Sequence, residues 1–458
     1  MLEAVLDRVD KNLEMSLVRL FELIRIRSIS TDPDYAEECD KAAAWCAETL
    51  AELGFEAAVR PTPGRPMVVG HRTDGTGPSV LFYGHYDVQP VDPVELWDTD
   101  PFAPRIVTRD DGSKMIVARG ASDDKGQLLT FVEACRAWID VAGKLPVPVS
   151  ILFEGEEESG SPSLAAFLTE NAGELAKDIA LVCDTSMFDR ETPAIAIALR
   201  GLVGEEIEII AADKDLHSGL YGSAARNPNH VLAAILAALH DSDGKVTVPG
   251  FYAGVEEPPA EVKAQWAALP FSAEEFLGGV GLRIPAGERG RSVLEMIWSR
   301  PTCEINGMIG GYTGAGFKTV IPSKASAKVS FRLVGEQDPV AIREAFRRFV
   351  TERVPEDCRV EFHAHGGSPA ITIPADSPAL AKGRVALEAE WGRPAVMMGM
   401  GGSIPVVGAF KRMLAMDTML VGFGLDDDRI HSPNEKYELS SFHKGIRSWA
   451  RILAELAA

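Results

Sequence analysis

The sequence predicts an α/β protein: a central, mostly parallel sheet flanked by helices, with a smaller α+β domain inserted into it. Three observations carry this reading. The short apolar runs SVLFYG (79–84), VSILFE (149–154), IALVC (179–183) and TMLVGFG (418–424) have the length and composition of strands buried on both faces. Helical segments lie between the early runs, notably Lys125 to Ala142, and strands that alternate with helices imply parallel pairing. Residues 203–374 change from continuous to alternating apolar patterns, which marks a second domain in a chain of 458 residues, longer than a single core usually grows.

Taken in order, residues 2–24 place Leu2, Val5, Leu6, Val9, Leu13, Leu17, Leu20 and Ile24 at spacings of three and four, the pattern of a helix with one buried stripe. A second helix spans 36–53 and stops at Gly54, a residue suited to the left-handed position after a helix end. In the insert, EEIEIIAAD reads as a half-exposed strand, NPNHVLAAILAALHD as a helix, ASAKVSFRLV as a strand, PVAIREAFRRFVTERV as a helix and CRVEFHAHG as a strand. That order fits an α+β sandwich of ferredoxin-like type with its helices on one face. The Pro- and Glu-rich stretch 255–262 reads as an exposed loop. From about residue 376 the pattern returns to helix, apolar strand and helix. The large domain is therefore expected from 1–202 and 375–458, and the insert from 203–374.

Composition excludes several function classes. A formal net charge of −21, with Lys and Arg scattered rather than gathered in a stripe, repels phosphate backbones and argues against nucleic acid as a partner. No run of about 18 apolar residues is present to span a membrane. The N-terminal segment mixes acids and bases through its apolar positions, unlike a signal peptide, so a cytoplasmic protein is expected. The six cysteines (Cys39, Cys46, Cys135, Cys183, Cys303, Cys358) contain no Cys-x-x-Cys pair, which suits reduced thiols better than a disulfide framework or a thiolate metal site.

Metal-ligand residue types cluster directly after the apolar strands, where open α/β sheets keep their active sites. In FYGHYDVQP, His85 and Asp87 lie two apart on one side of an extended chain, so the carboxylate can fix the imidazole or share a metal; a capped turn with a satisfied histidine fits this motif equally well. In ARGASDDKGQ, Asp123 and Asp124 precede a helix, where acids are commonly caps. The flanking Gly120 and Gly126 indicate a tight backbone path, and Asp123 is the candidate bridge between two cations. In ILFEGEEESGSPSL, Glu154, Glu156, Glu157 and Glu158 crowd a strand end, an arrangement that repels itself unless a cation neutralises it. Asp184 in IALVCDTS and His431 in FGLDDDRIHSPNE complete the set, each weak alone.

The strings FYGHYDVQP, ARGASDDKG, EGEEESGS, VCDTS, DLHSGLYGS, KTVIPSKASAKVSFRLV, GGSIPV and IHSPNE together resemble the zinc-dependent aminoacylase, carboxypeptidase and dipeptidase family of metallopeptidases, most closely its carnosine-dipeptidase-like branch. The resemblance spans nearly the whole chain. It implies two zinc ions per subunit, with manganese or cobalt as substitutes, one held by His85 and Asp184, the other by Glu158 and His431, and both bridged by Asp123. Glu157 would be the general base and Asp87 would sit behind His85, leaving Glu154 and Glu156 as bystanders. A cis Asp123–Asp124 peptide belongs to the same expectation. Two such cations lower the pKa of a water between them towards neutrality, and Glu157 would take its proton and return it to the leaving amine.

The insert would act as a lid and dimerisation domain. The resemblance implies that His217 reaches the active site of a partner subunit to stabilise the tetrahedral oxyanion. Thr319 would accompany it, Arg332 and Ser403 would hold the substrate carboxylate, and His365 would add a contact. One departure stands out: where related dipeptidases often carry charge just before GGSIP, this chain has Gly399 and Met400, which bears on the amino or acyl group tolerated.

These readings describe a cytoplasmic, homodimeric di-zinc dipeptidase of the metalloexopeptidase type. An amidohydrolase, a deacylase or desuccinylase of N-acyl amino acids, is the alternative. A non-catalytic binding module of the same architecture would have lost a ligand or the base, yet Glu157, Asp123, His85, Glu158, Asp184 and His431 are all present. A two-metal phosphoesterase would need cationic phosphate clamps.

Overall fold

The four apolar runs become four adjacent strands of one sheet. The computed structural model describes residues 1–402 and 404–458. The chain divides into two compact units, one of Met1–Ile197, Ile373–Met398 and Pro405–Ala458, the other of Ala198–Thr372 and Gly399–Ile404.

In the first unit the strand order is Glu56–Arg60, Met67–Arg72, Val149–Glu154, Val80–His85, Ile179–Val182, Thr418–Leu420 and Ala194–Leu199, with Val396–Met400 pairing the last. Val149–Glu154, Val80–His85, Ile179–Val182 and Thr418–Leu420 run parallel. Both flanks pair antiparallel, so the sheet is mixed, with its parallel part at the centre. The reason on one side is the connection: only residues 61–66 separate Glu56–Arg60 from Met67–Arg72, far too few for a crossover. The central strands are joined instead through helices such as Lys125–Ala142.

That helix and the C-terminal helix Leu439–Ala457 lock onto the sheet through aromatic rings. Phe82 stacks on Phe131 at 3.9 Å, and Trp449 meets both edge-on at 5.7 and 5.5 Å. All three side chains are buried, and truncating one to alanine is expected to cost about 3–5 kcal/mol. The packing fixes the strand that ends at His85 against the helix whose N-terminal loop holds Asp123. A small antiparallel sheet of Arg105–Thr108, Lys114–Val117 and Lys436–Glu438 completes the unit.

The second unit is ferredoxin-like. Its antiparallel sheet has the order Thr302–Gly310, Lys324–Leu333, Gly201–Ile210, Arg359–Ser368. Odd-numbered residues such as Val203, Ile207, Val329 and Phe331 join a core with Leu232 and Ile235 of helix Pro228–Ala237 and Phe346 and Phe349 of helix Pro339–Thr351. Glu205 also points inward, where Arg343 and Arg347 donate to it at 2.9 and 2.6 Å, which pins the helix to the sheet. Even-numbered positions, Arg332 among them, take the opposite face.

One expectation needs correction. The stretch 255–262 is not wholly an exposed loop, because helix Ala260–Ala267 begins within it and Val262 is fully buried. Pro258 and Pro259 disguise a helix start, since proline is tolerated just before the first turn. All six cysteines are free, and five are buried. Among the described residues no helix is long and apolar enough to cross a membrane.

Candidate metal centre

Four parallel strands of common direction bring their carboxyl ends to one edge, and the ligand candidates follow those ends. His85 is the last residue of Val80–His85, Glu157 and Glu158 form a tight turn after Val149–Glu154, and Asp184 lies just past Ile179–Val182. His431 sits in the loop beyond Thr418–Leu420, and Asp123 in the loop that opens helix Lys125–Ala142.

Side chains far apart in the chain meet there. His85 Nε2 lies 3.1 Å from Asp123 Oδ1, and His431 Nε2 lies 2.9 Å from Asp123 Oδ2 and 3.2 Å from Glu158 Oε2. Each oxygen of Asp123 thus faces a different histidine. Donor atoms of His85, Asp123 and Asp184 fall within 4.8 Å of one another, as do those of Asp123, Glu158 and His431. Glu154 and Glu156 belong to neither group; Tyr83 donates to Glu154 at 2.6 Å.

The capping alternative for the paired aspartates is not what the fold uses. Asp124 makes no side-chain cap on its helix, and its Oδ2 instead accepts the His85 backbone N–H at 3.1 Å. The Asp123–Asp124 peptide is cis. Asp87 serves two neighbours: its Oδ1 is 3.3 Å from His85 Nδ1, and its carboxylate accepts the backbone N–H groups of Glu157 and Glu158 at 3.3 and 3.0 Å. It therefore orients the imidazole, leaving Nε2 to face the centre, and anchors the acidic turn.

Electrostatics show a cluster short of positive charge. Burial, reinforced by Asp123, Glu157 and Glu158 against the pull of His85, raises the Asp184 pKa well above the ordinary range. Burial also lifts Glu157 to about 7, with Glu158 and Asp123 adding to it. Burial opposes charging Asp123 and His85, yet hydrogen bonds with His431 and His85 hold Asp123 low, and those with Asp123 and Asp87 hold His85 high. Hydrogen bonds to Asp123 and Glu158 raise His431 to about 10. Asp184 has no hydrogen bond or ion pair among the described residues. A donor set of imidazoles and carboxylates, one of them unpartnered, fits divalent cations, which would replace the protons these groups otherwise compete for.

The loop that carries His431 is held in an uncommon shape. Arg429, His431 and Asn434 are non-glycine residues at φ of 56°, 62° and 60°, a region that costs roughly 1–2 kcal/mol per residue.

His217, Thr319, Arg332 and His365 belong to the second unit. His217 and Thr319 sit together, since Leu216–His217 pairs with Val320–Ile321 and the Ser218 N–H donates to the Thr319 carbonyl at 3.1 Å. The His217 side chain accepts the Gly219 N–H at Nδ1, 2.9 Å, so Nε2 carries the proton and can donate. Arg332 lies in strand Lys324–Leu333 with no ion pair among the described residues. Exposed His365 approaches Glu206 at 3.5 Å. Ser403 lies outside the described residues.

Three polar contributors escaped the sequence reading. Gln89 donates from Nε2 to Glu158 Oε2 at 2.7 Å, and a signal existed: positions 85, 87 and 89 share one side of an extended chain. Buried Arg200 sits beside Arg332, and burial together with that neighbour pulls its pKa down to about 10. Glu435 contacts the Asp123 loop from more than 300 residues away, which no local pattern announces.

Residues 81–455 match the family described as Peptidase family M20/M25/M40. The chain is 30% identical over 474 residues to the Cys-Gly metallodipeptidase of Schizosaccharomyces pombe, covering 100% of this chain and 98% of the relative. It is 29% identical over 477 residues to the Beta-Ala-His dipeptidase of Homo sapiens, covering 100% and 93%. Among solved structures, an M20 family metallo-carboxypeptidase from Sulfolobus solfataricus is similar with a TM-score of 0.82 at 30% identity, over 96% of this chain and 99% of that one.

Proposed function

The chain belongs to peptidase family M20/M25/M40, and on that premise we propose that its metal centre hydrolyses the amide bond of dipeptides with a free C-terminal carboxylate. It is a metal-dependent enzyme of the dipeptidase type, as its relatives are. The observation that carries the reading is Asp123, with one oxygen towards each histidine and a place in both groups of converging donor atoms.

Two zinc ions, with manganese or cobalt as substitutes, would be held by His85 and Asp184 on one side and Glu158 and His431 on the other, with Asp123 shared; when bound they acidify water and polarise the amide carbonyl. Glu157 takes a proton from the attacking water as the C–O bond forms. It then delivers that proton to the amine nitrogen as the C–N bond breaks, so two amino acids leave.

The second unit is the proposed lid and dimerisation domain. His217 offers an Nε2–H to the oxyanion in a partner subunit's site, with Thr319 beside it. Leu220, 77% exposed, and Ile309, 64% exposed, supply apolar surface for such a homodimer. Arg332 holds the substrate carboxylate, supported by its lack of an ion pair among the described residues and by the adjoining Arg200. Ser403 and His365 complete this subsite. A cytoplasmic location rests on the six free cysteines.

Gly399 and Met400 favour keeping a second reading, an amidohydrolase of N-acyl amino acids. Neither brings charge, and a Cβ at Gly399 would stand 2.2 Å from the Trp298 carbonyl oxygen, so no side chain fits there. A panel of dipeptides against N-acyl amino acids separates the two. The direct test of the proposed base is metal content and dipeptide turnover for wild type and Glu157→Gln. The variant should keep its ions and lose roughly 10²–10⁴-fold in kcat; undiminished turnover rules the base out.

A further inference from the structure

We propose that Glu435 is the positioning residue of the metal centre: its buried carboxylate clamps the backbone of residues 120–123 and thereby fixes the direction in which Asp123 presents its two oxygens. The inference rests on the two-ion reading above and adds to it a residue outside the ligand set.

The loop from Ala118 to Asp123 makes no regular pairing along its length, so its N–H groups need acceptors from elsewhere. Glu435 supplies most of them. Its Oε2 accepts the Gly120 N–H at 2.9 Å, its Oε1 accepts those of Ser122 and Asp123 at 2.9 and 3.0 Å, and its carbonyl accepts that of Ala118 at 3.1 Å. Arg119 turns to the Pro101 carbonyl and Ala121 to that of Ala118, so four of the six N–H groups depend on this one residue. The remaining site on Oε2 receives Arg119 Nη1 at 2.7 Å. Four donors fill the acceptor capacity of an ionised carboxylate. Arg119 is itself held by the Pro90 carbonyl at 3.0 Å and lies over the Trp97 ring at 5.4 Å, so the balancing charge is fixed as well.

Glu435 also belongs to the loop that delivers His431, four residues earlier. A second strap joins the same two loops, Ser122 Oγ donating to Asp428 Oδ2 at 2.8 Å. The bridging aspartate and the more exposed histidine are thus parts of one cross-linked element. Asp123 contributes to both donor groups, so a clamp on its backbone acts on both metal positions together.

Glu435→Gln puts an amide N–H group where a carboxylate oxygen meets two donors. Zinc affinity, measured by titrating the metal-free protein, should weaken 10- to 100-fold, the range seen when groups behind metal ligands are changed. The visible absorption of the Co2+-loaded protein should change too, because the bridging geometry changes. Glu435→Asp, shorter by about 1.5 Å, should do the same and serves if the glutamine variant does not fold. The control is Glu133→Gln, which removes a buried acid paired with Arg19 and Ser16 in the same unit. It should lower Tm while leaving zinc affinity and the Co2+ spectrum as in wild type. If Glu435→Gln or Glu435→Asp lowers Tm yet binds zinc like wild type, the clamp is overturned and Glu435 is only a buried ion-pair partner. If wild type itself fails to bind two ions, the metal-centre reading falls and the clamp with it.

Discussion

The two histidines that face Asp123 stand in opposite surroundings: the His85 side chain is 1% exposed and that of His431 is 52% exposed. His85 ends a central strand, with Asp87 and Asp124 holding its imidazole and its backbone. His431 hangs from a loop of left-handed residues whose shape depends on contacts with the Asp123 loop. The same candidate ligand chemistry is therefore built two ways, once by the buried end of a central strand and once by cross-linked loops. A buried cluster of acids pays its desolvation during folding and needs a cation more urgently than an exposed one.

The largest expected effect tests that difference directly. In His85→Ala the buried Asp123 and the partly buried Asp184 lose the imidazole that faces them in that group, and the protein should retain neither ion and no measurable turnover. In His431→Ala the group of His85, Asp123 and Asp184 is intact, so one ion per chain should remain after desalting, with activity down at least ~100-fold. Metal analysis of the two variants side by side is the measurement. Equal losses would erase the distinction between the two regions.

A smaller effect sharpens the comparison through pH. In the metal-free protein the folded-state pKa of Glu157 is raised to about 7 and that of His431 to about 10. A raised pKa means the folded state binds more protons than the unfolded one, so stability falls as pH rises. For Glu157 the loss runs from its ordinary value of 4.5 up to about 7, and for His431 from 6.5 up to about 10. The metal-free Tm should therefore decline between pH 7 and 9 through His431 together with His85, whose pKa is also raised well above its ordinary value, and His431→Ala should lessen that decline. Zinc, which takes the place of those protons, should raise Tm more at pH 9 than at pH 7.

How much of this was legible in the sequence follows from the same contrast. SVLFYG, VSILFE, IALVC and TMLVGFG announced the parallel strands because burial on both faces leaves an uninterrupted apolar run, and the residues after them could be read as ligands. The antiparallel flanks were not singled out: Glu56–Arg60 is largely exposed and carries no such run. Gln89 was within reach of period-two reasoning from His85 and Asp87. Glu435 was not, because its partners are backbone N–H groups, which have no residue type to betray them. The helix Ala260–Ala267 was hidden by the prolines before it.

The smallest effect concerns the second unit, where the comparison becomes one between ligands locked by neighbours and an arginine with no such partner. Arg332 and Arg200 stand close enough for Arg332 to depress the Arg200 pKa, and neither forms an ion pair among the described residues. Two neighbouring guanidinium groups repel unless an anion joins them, so a substrate carboxylate would relieve a cost already present in the free protein. Arg332→Lys keeps the charge and loses the two-pronged geometry. A hydrogen bond to a charged group contributes about 1.5–3 kcal/mol, so losing one of two should raise KM for dipeptides by roughly 10-fold or more. Turnover should be nearly unchanged, since the proposed base is Glu157 and not this arginine. Dipeptides amidated at the C-terminus should bind poorly to wild type and be little affected by the substitution. If Arg332→Lys instead lowers kcat at constant KM, the arginine acts on the reacting bond, and the carboxylate must be held elsewhere.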